Sequence, residues 1–471
     1  MVFNIIGGFL MRKRQIITGF SALLLCAASF AETPDKMQVW LKNGEQQVFD
    51  INQVDSVTFG ERLTPEFKPL CDWTYIPTVE SPTALTLSDE QKEFVQAGNI
   101  FAKKSFASIC EGDSTHPNTF YSPISLQIAL GFCANAATNK GAKEIADAFG
   151  IQGKKSLDVM NDYFNKVILS LNSQVDSVIL RVNNAAWPVW GASVYDDFLQ
   201  AAQEKYYATV RHLDFVSDPA AAKDTINKWA ALMTNDCIKK LSVLIDQSTV
   251  LVLNNACYFK GKWRIPIEKH MTRTDTFWNA PNKIQSVNMM QTLDFYSYAE
   301  TDDYQMVELV YGPSDRMISN NGKGTYSMVI VLPAEGKNLD TTFNSIDWNN
   351  LPLARNYVFL RFPKFGIRSS LELNETVAGL GINDIFSDCP NAISVPASVT
   401  QIVQDSYVAV DEEGTEAAAV TSIGLAGAAP PENMAEMFVN RPFGFAIREM
   451  TTGMLLFMGK VTEVEEVSKE D

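Results

Sequence analysis

Asp411-Glu-Glu-Gly-Thr-Glu-Ala-Ala-Ala-Val-Thr-Ser-Ile-Gly-Leu-Ala-Gly-Ala-Ala429 is the stretch on which the reading of this 471-residue chain turns. It carries no charge after Glu416 and no proline before Pro430. At period two, Thr415, Ala417, Ala419, Thr421, Ile423 and Leu425 share one side; Glu416, Ala418, Val420, Ser422 and Gly424 share the other. That is the alternation of a strand with one small, mostly apolar face. Three alanines, one glycine and four acidic residues over Asp411–Ala419 nevertheless give it weak strand propensity at its start. Ala/Gly-rich composition ordinarily means a surface loop. The absence of proline lets every N–H join a ladder if a slot opens. The sharper reading is a loop able to become a strand.

Composition bounds the rest. Hydrophobic residues make up 46% and charged residues 20%, the balance of a globular chain long enough for one large domain or two or three ordinary ones. A net charge of −16, with no long Lys/Arg run, disfavours nucleic acid and acidic polysaccharide, heparin included. Seven cysteines (Cys26, Cys71, Cys110, Cys133, Cys237, Cys257 and Cys389) show no short zinc or redox spacing, and buried free thiols are the simpler reading.

At the N-terminus, Arg12-Lys13-Arg14 precede an apolar run from Ile16 to Ala28, and Ala31 closes a small-residue exit. This pattern predicts a secretory signal over residues 1–31, with Met11 as the true start and export to the periplasm or the extracellular space. Leu23-Leu24-Leu25-Cys26 offers a second route, a cell-surface lipoprotein anchored at Cys26, which is the one expected membrane attachment. Residues 32–84 hold a hairpin signal at Asn43-Gly44 and a linker punctuated by Pro65, Pro69, Pro77 and Pro82. The main domain is placed at 85–465, followed by an acidic tail, 466–471.

Within that domain, helices are expected from Leu87 through Phe106, Leu126 to Ala137 capped by Ser125, Lys143 to Gly150, Val194 to Tyr207 and Ala220 to Leu241. Strands are expected at Val178–Trp187, Val287–Gln291, Gln305–Tyr311, Tyr326–Leu332, Tyr357–Phe365, Ser394–Val410, Phe438–Phe445 and Met454–Val461. Thr249–Trp263 reads as a strand buried on both faces. Helices early and strands late indicate an α+β fold with a large sheet.

Chemistry is conspicuous by its lack. His116, His212 and His270 have no metal-ligand spacing, and there is no HExxH, nucleophile elbow or phosphate loop. Asp411-Glu412-Glu413 reads as a solvated acidic rim. An enzyme, a metal and a cofactor are not expected.

Ordered motifs along Leu85–Val464 resemble the serpin superfamily, as a secreted bacterial member. They include Ser122-Pro-Ile-Ser125, Ile226-Asn-Lys-Trp229, Asn255-Ala-Cys-Tyr-Phe-Lys-Gly-Lys-Trp263, Thr272-Arg-Thr-Asp-Thr-Phe277, Pro363-Lys-Phe365, Glu412-Glu-Gly-Thr-Glu-Ala-Ala-Ala419, Arg441-Pro-Phe443 and Leu456-Phe-Met-Gly459. The resemblance implies a large central sheet, smaller sheets and an exposed reactive-centre loop that baits a peptidase. After attack and acylation, the cut loop would enter the central sheet as a new strand and trap the peptidase as a covalent 1:1 complex. It implies a hinge at Glu412, Glu413, Gly414, Thr415, Glu416, Ala417, Ala418 and Ala419. Ser122, Ser125, Asn255 and Gln404 would form the shutter, with Gln404 standing where many members carry histidine, and Trp263 the breach. Family spacing puts the scissile bond at Ala428-Ala429, with Leu425 and Ala426 as alternatives. Small residues there suit elastase-like or subtilisin-like serine peptidases. Alternatives are a papain-like cysteine peptidase as target, or a non-inhibitory binding module. A monomer is expected.

Overall fold

A computed structural model describes residues 85–112, 117–153, 156–172, 178–280, 283–312, 326–415 and 434–465, with short strands at 22–23, 36–41 and 46–50. The chain divides into two compact units, Met1–Glu66 and Phe67–Asp471. In the first, β1 (Ala22–Leu23), β2 (Lys36–Leu41) and β3 (Gln46–Asp50) form an antiparallel sheet. Met37 faces Phe49 and Val39 faces Gln47, which is the expected hairpin pairing; its Asn43-Gly44 turn lies outside the described residues.

The second unit begins with α1 (Asp89–Gly112), β4 (Thr119–Tyr121), α2 (Pro123–Ala134), α3 (Asn139–Ala148), α4 (Ser156–Leu171), β5 (Val178–Pro188), α5 (Asp196–Glu204), β6 (Thr209–Val210) and α6 (Pro219–Met233). Then come β7 (Leu251–Lys262), β8 (Arg273–Ala280), β9 (Lys283–Glu300), β10 (Tyr304–Val310), β11 (Tyr326–Pro333), α7 (Leu339–Ser345), β12 (Ala354–Pro363), β13 (Phe365–Glu372) and α8 (Asn374–Gly379). The chain closes with β14 (Val403–Val410), β15 (Gly414–Thr415), β16 (Ala435–Phe438), β17 (Phe443–Glu449) and β18 (Leu455–Val461).

Two sheets organise this unit. One runs β16-β12-β9-β10-β11-β17-β18-β4, with β8 on β9; the other runs β13-β14-β15-β7-β5-β6. This is the expected α+β architecture. Aromatic rings tie the first sheet together: Phe120 of β4 stacks on Phe457 at 5.2 Å and on Phe445 at 5.9 Å. Helix α2 is buried on nearly every side, only Ala129 being partly open. Its sequence is therefore apolar all round rather than striped.

Several expected boundaries shift, each for a local reason. Ser122, not Ser125, caps α2: its hydroxyl accepts from Ser125 N at 3.3 Å, and Pro123 takes the first helical turn, where a missing N–H is harmless. Helix α6 stops at Met233 instead of Leu241 because Asn235 and Asp236 take left-handed φ values of 52° and 63°. The strand expected from Ser394 begins only at Val403, beyond Pro396, which has no N–H to pair. Tyr357–Phe365 is two strands broken at Lys364, and Phe438–Phe445 is two strands broken across Arg441-Pro442. β7 is not buried on both faces. Leu251, Leu253, Asn255 and Cys257 are half-buried, because over that length no described strand pairs on its β14 side.

The five described cysteines, Cys110, Cys133, Cys237, Cys257 and Cys389, are free thiols. Burial pushes the Cys110 thiol up to about 11 and the Cys257 thiol up to about 12, out of reach of ionisation at neutral pH.

Candidate functional site: a slot in the six-stranded sheet

At the end of β14 the chain turns back on itself. Asp411 Oδ1 accepts from Glu413 N (2.8 Å) and Gly414 N (3.2 Å), and Asp411 N donates to Gly414 O at 2.9 Å. The two residues of β15 then run antiparallel to both neighbours: Thr415 opposes Val410 on β14 and Gly261 on β7, and Gly414 opposes Lys262. Gly414 has φ +150°, and a Cβ there would lie 2.0 Å from Gly261 O, so no side chain fits. Below Thr415, the described parts of β14 and β7 face each other with no strand between them. Each offers a row of edge N–H and C=O groups.

The upper end of this slot is built from Trp263 and Tyr311, which stack at 4.5 Å with 15° between ring planes. Trp263 Nε1 donates to Asp411 O at 2.9 Å, and Trp263 N to Glu413 O at 2.9 Å. Tyr311 and Thr415 hydroxyls lie 2.7 Å apart, and Thr415 is 1% exposed. Burial pushes the Tyr311 hydroxyl far above the ordinary tyrosine range, so it stays protonated. Glu412 is fastened outside the turn. Thr272 Oγ1 donates to its Oε1 at 2.7 Å, Lys364 Nζ approaches its Oε2 at 3.1 Å, and its carbonyl accepts from Ile267 N at 3.0 Å. Burial opposes its charge, but Thr272, its own backbone N–H and Lys364 outweigh burial and hold its pKa below the usual value. Burial instead raises the Asp411 carboxyl, against the two backbone N–H groups it accepts from. Glu413 pairs with Lys269 at 2.8 Å.

Lower down, the start of α2 links the two walls. Gln404 of β14 accepts from Ser122 N (2.6 Å) through Oε1 and donates to Ser122 O (3.0 Å) through Nε2. Ser122 Oγ donates to Leu456 O at 2.8 Å. Ser125 Oγ donates to Asn255 Oδ1 on β7, and Asn255 Nδ2 continues to Asn184 Oδ1 of β5 at 2.8 Å. Beside this crossbar lies a cavity of about 80 Å³ lined by Ser125, Leu126, Leu253, Asn255 and Gln404.

The other face carries a strap. Trp187 and Trp229, edge to face at 5.9 Å, anchor α6 on β5. From α6 the segment 234–250 crosses to β14 and β13: Ser242 N and Oγ both donate to Asp405 at 2.9 Å, Ser370 Oγ donates to Ser242 Oγ at 2.6 Å, and Arg368 Nη1 donates to Cys237 O at 2.9 Å. Gln404 and Asp405 are consecutive on a strand and so point to opposite faces. The slot is therefore spanned from both sides.

The structure thus brings Ser122, Ser125, Asn255 and Gln404 to one crossbar, and Trp263, Glu412, Glu413, Gly414 and Thr415 to one turn. Glu416, Ala417, Ala418, Ala419, Leu425, Ala426, Ala428 and Ala429 lie outside the described residues. Sequence reasoning missed Tyr311, Thr272, Lys364, Ser242 and Asp405. Only Thr272 and Lys364 fall within a quoted motif, and the motif alone gives neither a role.

The profile of the family Serpin (serine protease inhibitor) matches residues 96–464. An uncharacterized serpin-like protein of Methanosarcina acetivorans is 30% identical over 386 residues, covering 78% of this chain and 87% of its own length. Serpin B3 of Homo sapiens is 29% identical, covering 74% and 94%. Among solved structures, Serpin48 of the insect Tenebrio molitor superposes with a TM-score of 0.70 at 25% identity, covering 81% of this chain and 100% of that one. The thermophilic serpin tengpin in its native state gives 0.70 at 26% identity, covering 84% and 100%. With a profile spanning most of its length and relatives matched over nearly their whole length, the chain belongs to the serpin family.

Proposed function

We propose that this chain is an exported suicide inhibitor of serine peptidases, with elastase-like or subtilisin-like enzymes as targets. The observation that carries the reading is the two-residue strand β15, paired on both sides at the head of a slot in which no other described strand lies between β14 and β7. A strand continuing from Thr415 has edge groups waiting on both walls, so inserting it gains two ladders at once. The uncut chain holds back that gain, which makes the native state kinetically rather than thermodynamically secured. Cleavage in the loop frees its upstream arm to enter as a strand, main-chain hydrogen bonds to both edges supplying the driving force. An acylated peptidase would be carried with it before water reaches the ester.

The hinge is assigned to Glu412–Ala419, the crossbar of Ser122, Ser125, Asn255 and Gln404 to the shutter, Trp263 to the breach, and Ala428-Ala429 to the reactive bond. The test is to incubate the protein with pancreatic elastase, subtilisin and trypsin. A complex that survives boiling in detergent, with release of the peptide 429–471, is the expected outcome for the first two. Cleavage without any such complex, and without a rise in heat resistance, would leave a non-inhibitory serpin.

A further inference from the structure

An aromatic strip runs across the exposed face of β9, β12 and β16. The register sets Leu293 opposite Phe359 and Phe295 opposite Tyr357. Phe295 and Tyr357 meet at 5.0 Å, and Phe359 and Phe438 at 5.8 Å. Alternation on β12 sends Val358 and Leu360 into the core and Arg355, Tyr357 and Phe359 outward. Leu293 is 40% exposed and Phe295 45%. Arg355 lies over the Phe295 ring at 4.5 Å and makes no ion pair among the described residues. Cross-strand aromatic pairs do stabilise sheets. That role alone does not require a half-exposed Leu and Phe, nor an exposed guanidinium held over a ring.

We propose that this strip is a docking surface for the body of the target peptidase. The inference rests on the reactive-loop reading above. Tether length selects the occupant. From Ala429 to Ala435, where β16 begins, is six residues, which span at most about 22 Å when fully extended. A peptidase of roughly 200 residues has a radius of gyration of about 16 Å, so one engaged at Ala428-Ala429 is held within its own dimensions of β16. The strip's chemistry suits an interface core, with Phe295, Tyr357, Phe359 and Arg355 clustered on the face and the exposed Glu436 opposite Phe359 on β16. Arg355 offers five N–H donors to carboxylates or carbonyls on the peptidase, in a chain whose net charge of −16 makes an exposed Arg with no ion pair among the described residues stand out. Docking there places the loop in the peptidase cleft more often per encounter without touching the slot.

The test measures second-order association rate constants with subtilisin and pancreatic elastase for wild type, Phe295→Ala and Arg355→Glu. The expected result is a fall on the order of ten-fold in both variants with at least one peptidase, at an unchanged stoichiometry of inhibition. Arg355→Glu, a surface change, keeps the test valid if Phe295→Ala misfolds. Rates equal to wild type with both peptidases overturn the docking surface. Absence of any covalent complex with the wild-type protein overturns the loop reading instead.

Discussion

The Tyr311 hydroxyl meets Thr415 Oγ1 at 2.7 Å, beneath a ring that stacks on Trp263. These residues are 104 positions apart, yet their contact decides how the returning chain enters the sheet. Thr415 is small enough to lie between two strands, polar enough to satisfy a buried phenol and short enough to leave β14 and β7 undisturbed.

Thr415→Arg places a long cation at that contact, where an unpaired charge is strongly disfavoured. The variant is expected to be cut by subtilisin or elastase but to yield less than about a tenth of the wild-type covalent complex on a denaturing gel, given several kcal/mol against insertion. Wild-type amounts of complex would mean that Thr415 does not have to enter the sheet with the strand.

Gln404 holds both backbone groups of Ser122 with one amide. Gln404→His can reproduce this only while neutral, since imidazolium cannot accept from Ser122 N. Its folded pKa should therefore fall below the unfolded value of about 6.5. The associated stability is present above that pH and lost as pH falls through the folded pKa. Thermal midpoints at pH 5.5 and pH 8 are expected to diverge more for the variant than for wild type. Parallel shifts would show that the Ser122 contact contributes nothing.

Glu412 titrates at a depressed pKa in the folded chain. Its contribution is complete above its unfolded pKa and disappears as pH falls through the lower folded value. Asp411, raised, has the opposite sign: its contribution is complete below its unfolded pKa and lost as pH rises through the folded one. Glu412→Gln should cost about 1–2 kcal/mol at neutral pH and flatten the acid limb of a stability–pH profile measured by urea unfolding. A parallel acid limb in the variant would assign that limb to other carboxylates.

Ser242→Ala removes the strap's side-chain bonds to Asp405 and Ser370 in one step and leaves the backbone bond from Ser242 N to Asp405. Native stability in urea should drop by about 1 kcal/mol. An unchanged unfolding midpoint would mean that the strap is held by its apolar residues rather than by this latch.

The architecture was legible because serpin motifs and two-residue periodicity are local signals. The Asp411–Ala429 stretch announced small residues at alternate positions, and Thr415 does lie buried between two strands. What failed was whatever depended on a neighbour. Apolar content made β7 read as wholly enclosed, but hydrophobicity says nothing of a missing strand beside it. Ser122 and Ser125 are equally good caps by type, and Pro123 was the clue that separates them. Tyr311 read as an ordinary strand residue, Asp405 only as part of the strand expected from Ser394 to Val410, and Ser242, 163 positions away from Asp405, received no reading. No local pattern connects them.

Gly414 bears on how such a chain can diverge over generations. Its missing side chain is required by Gly261 O, so any replacement has to displace the backbone of β7. Descendants of this chain are therefore expected to keep glycine at this pivot.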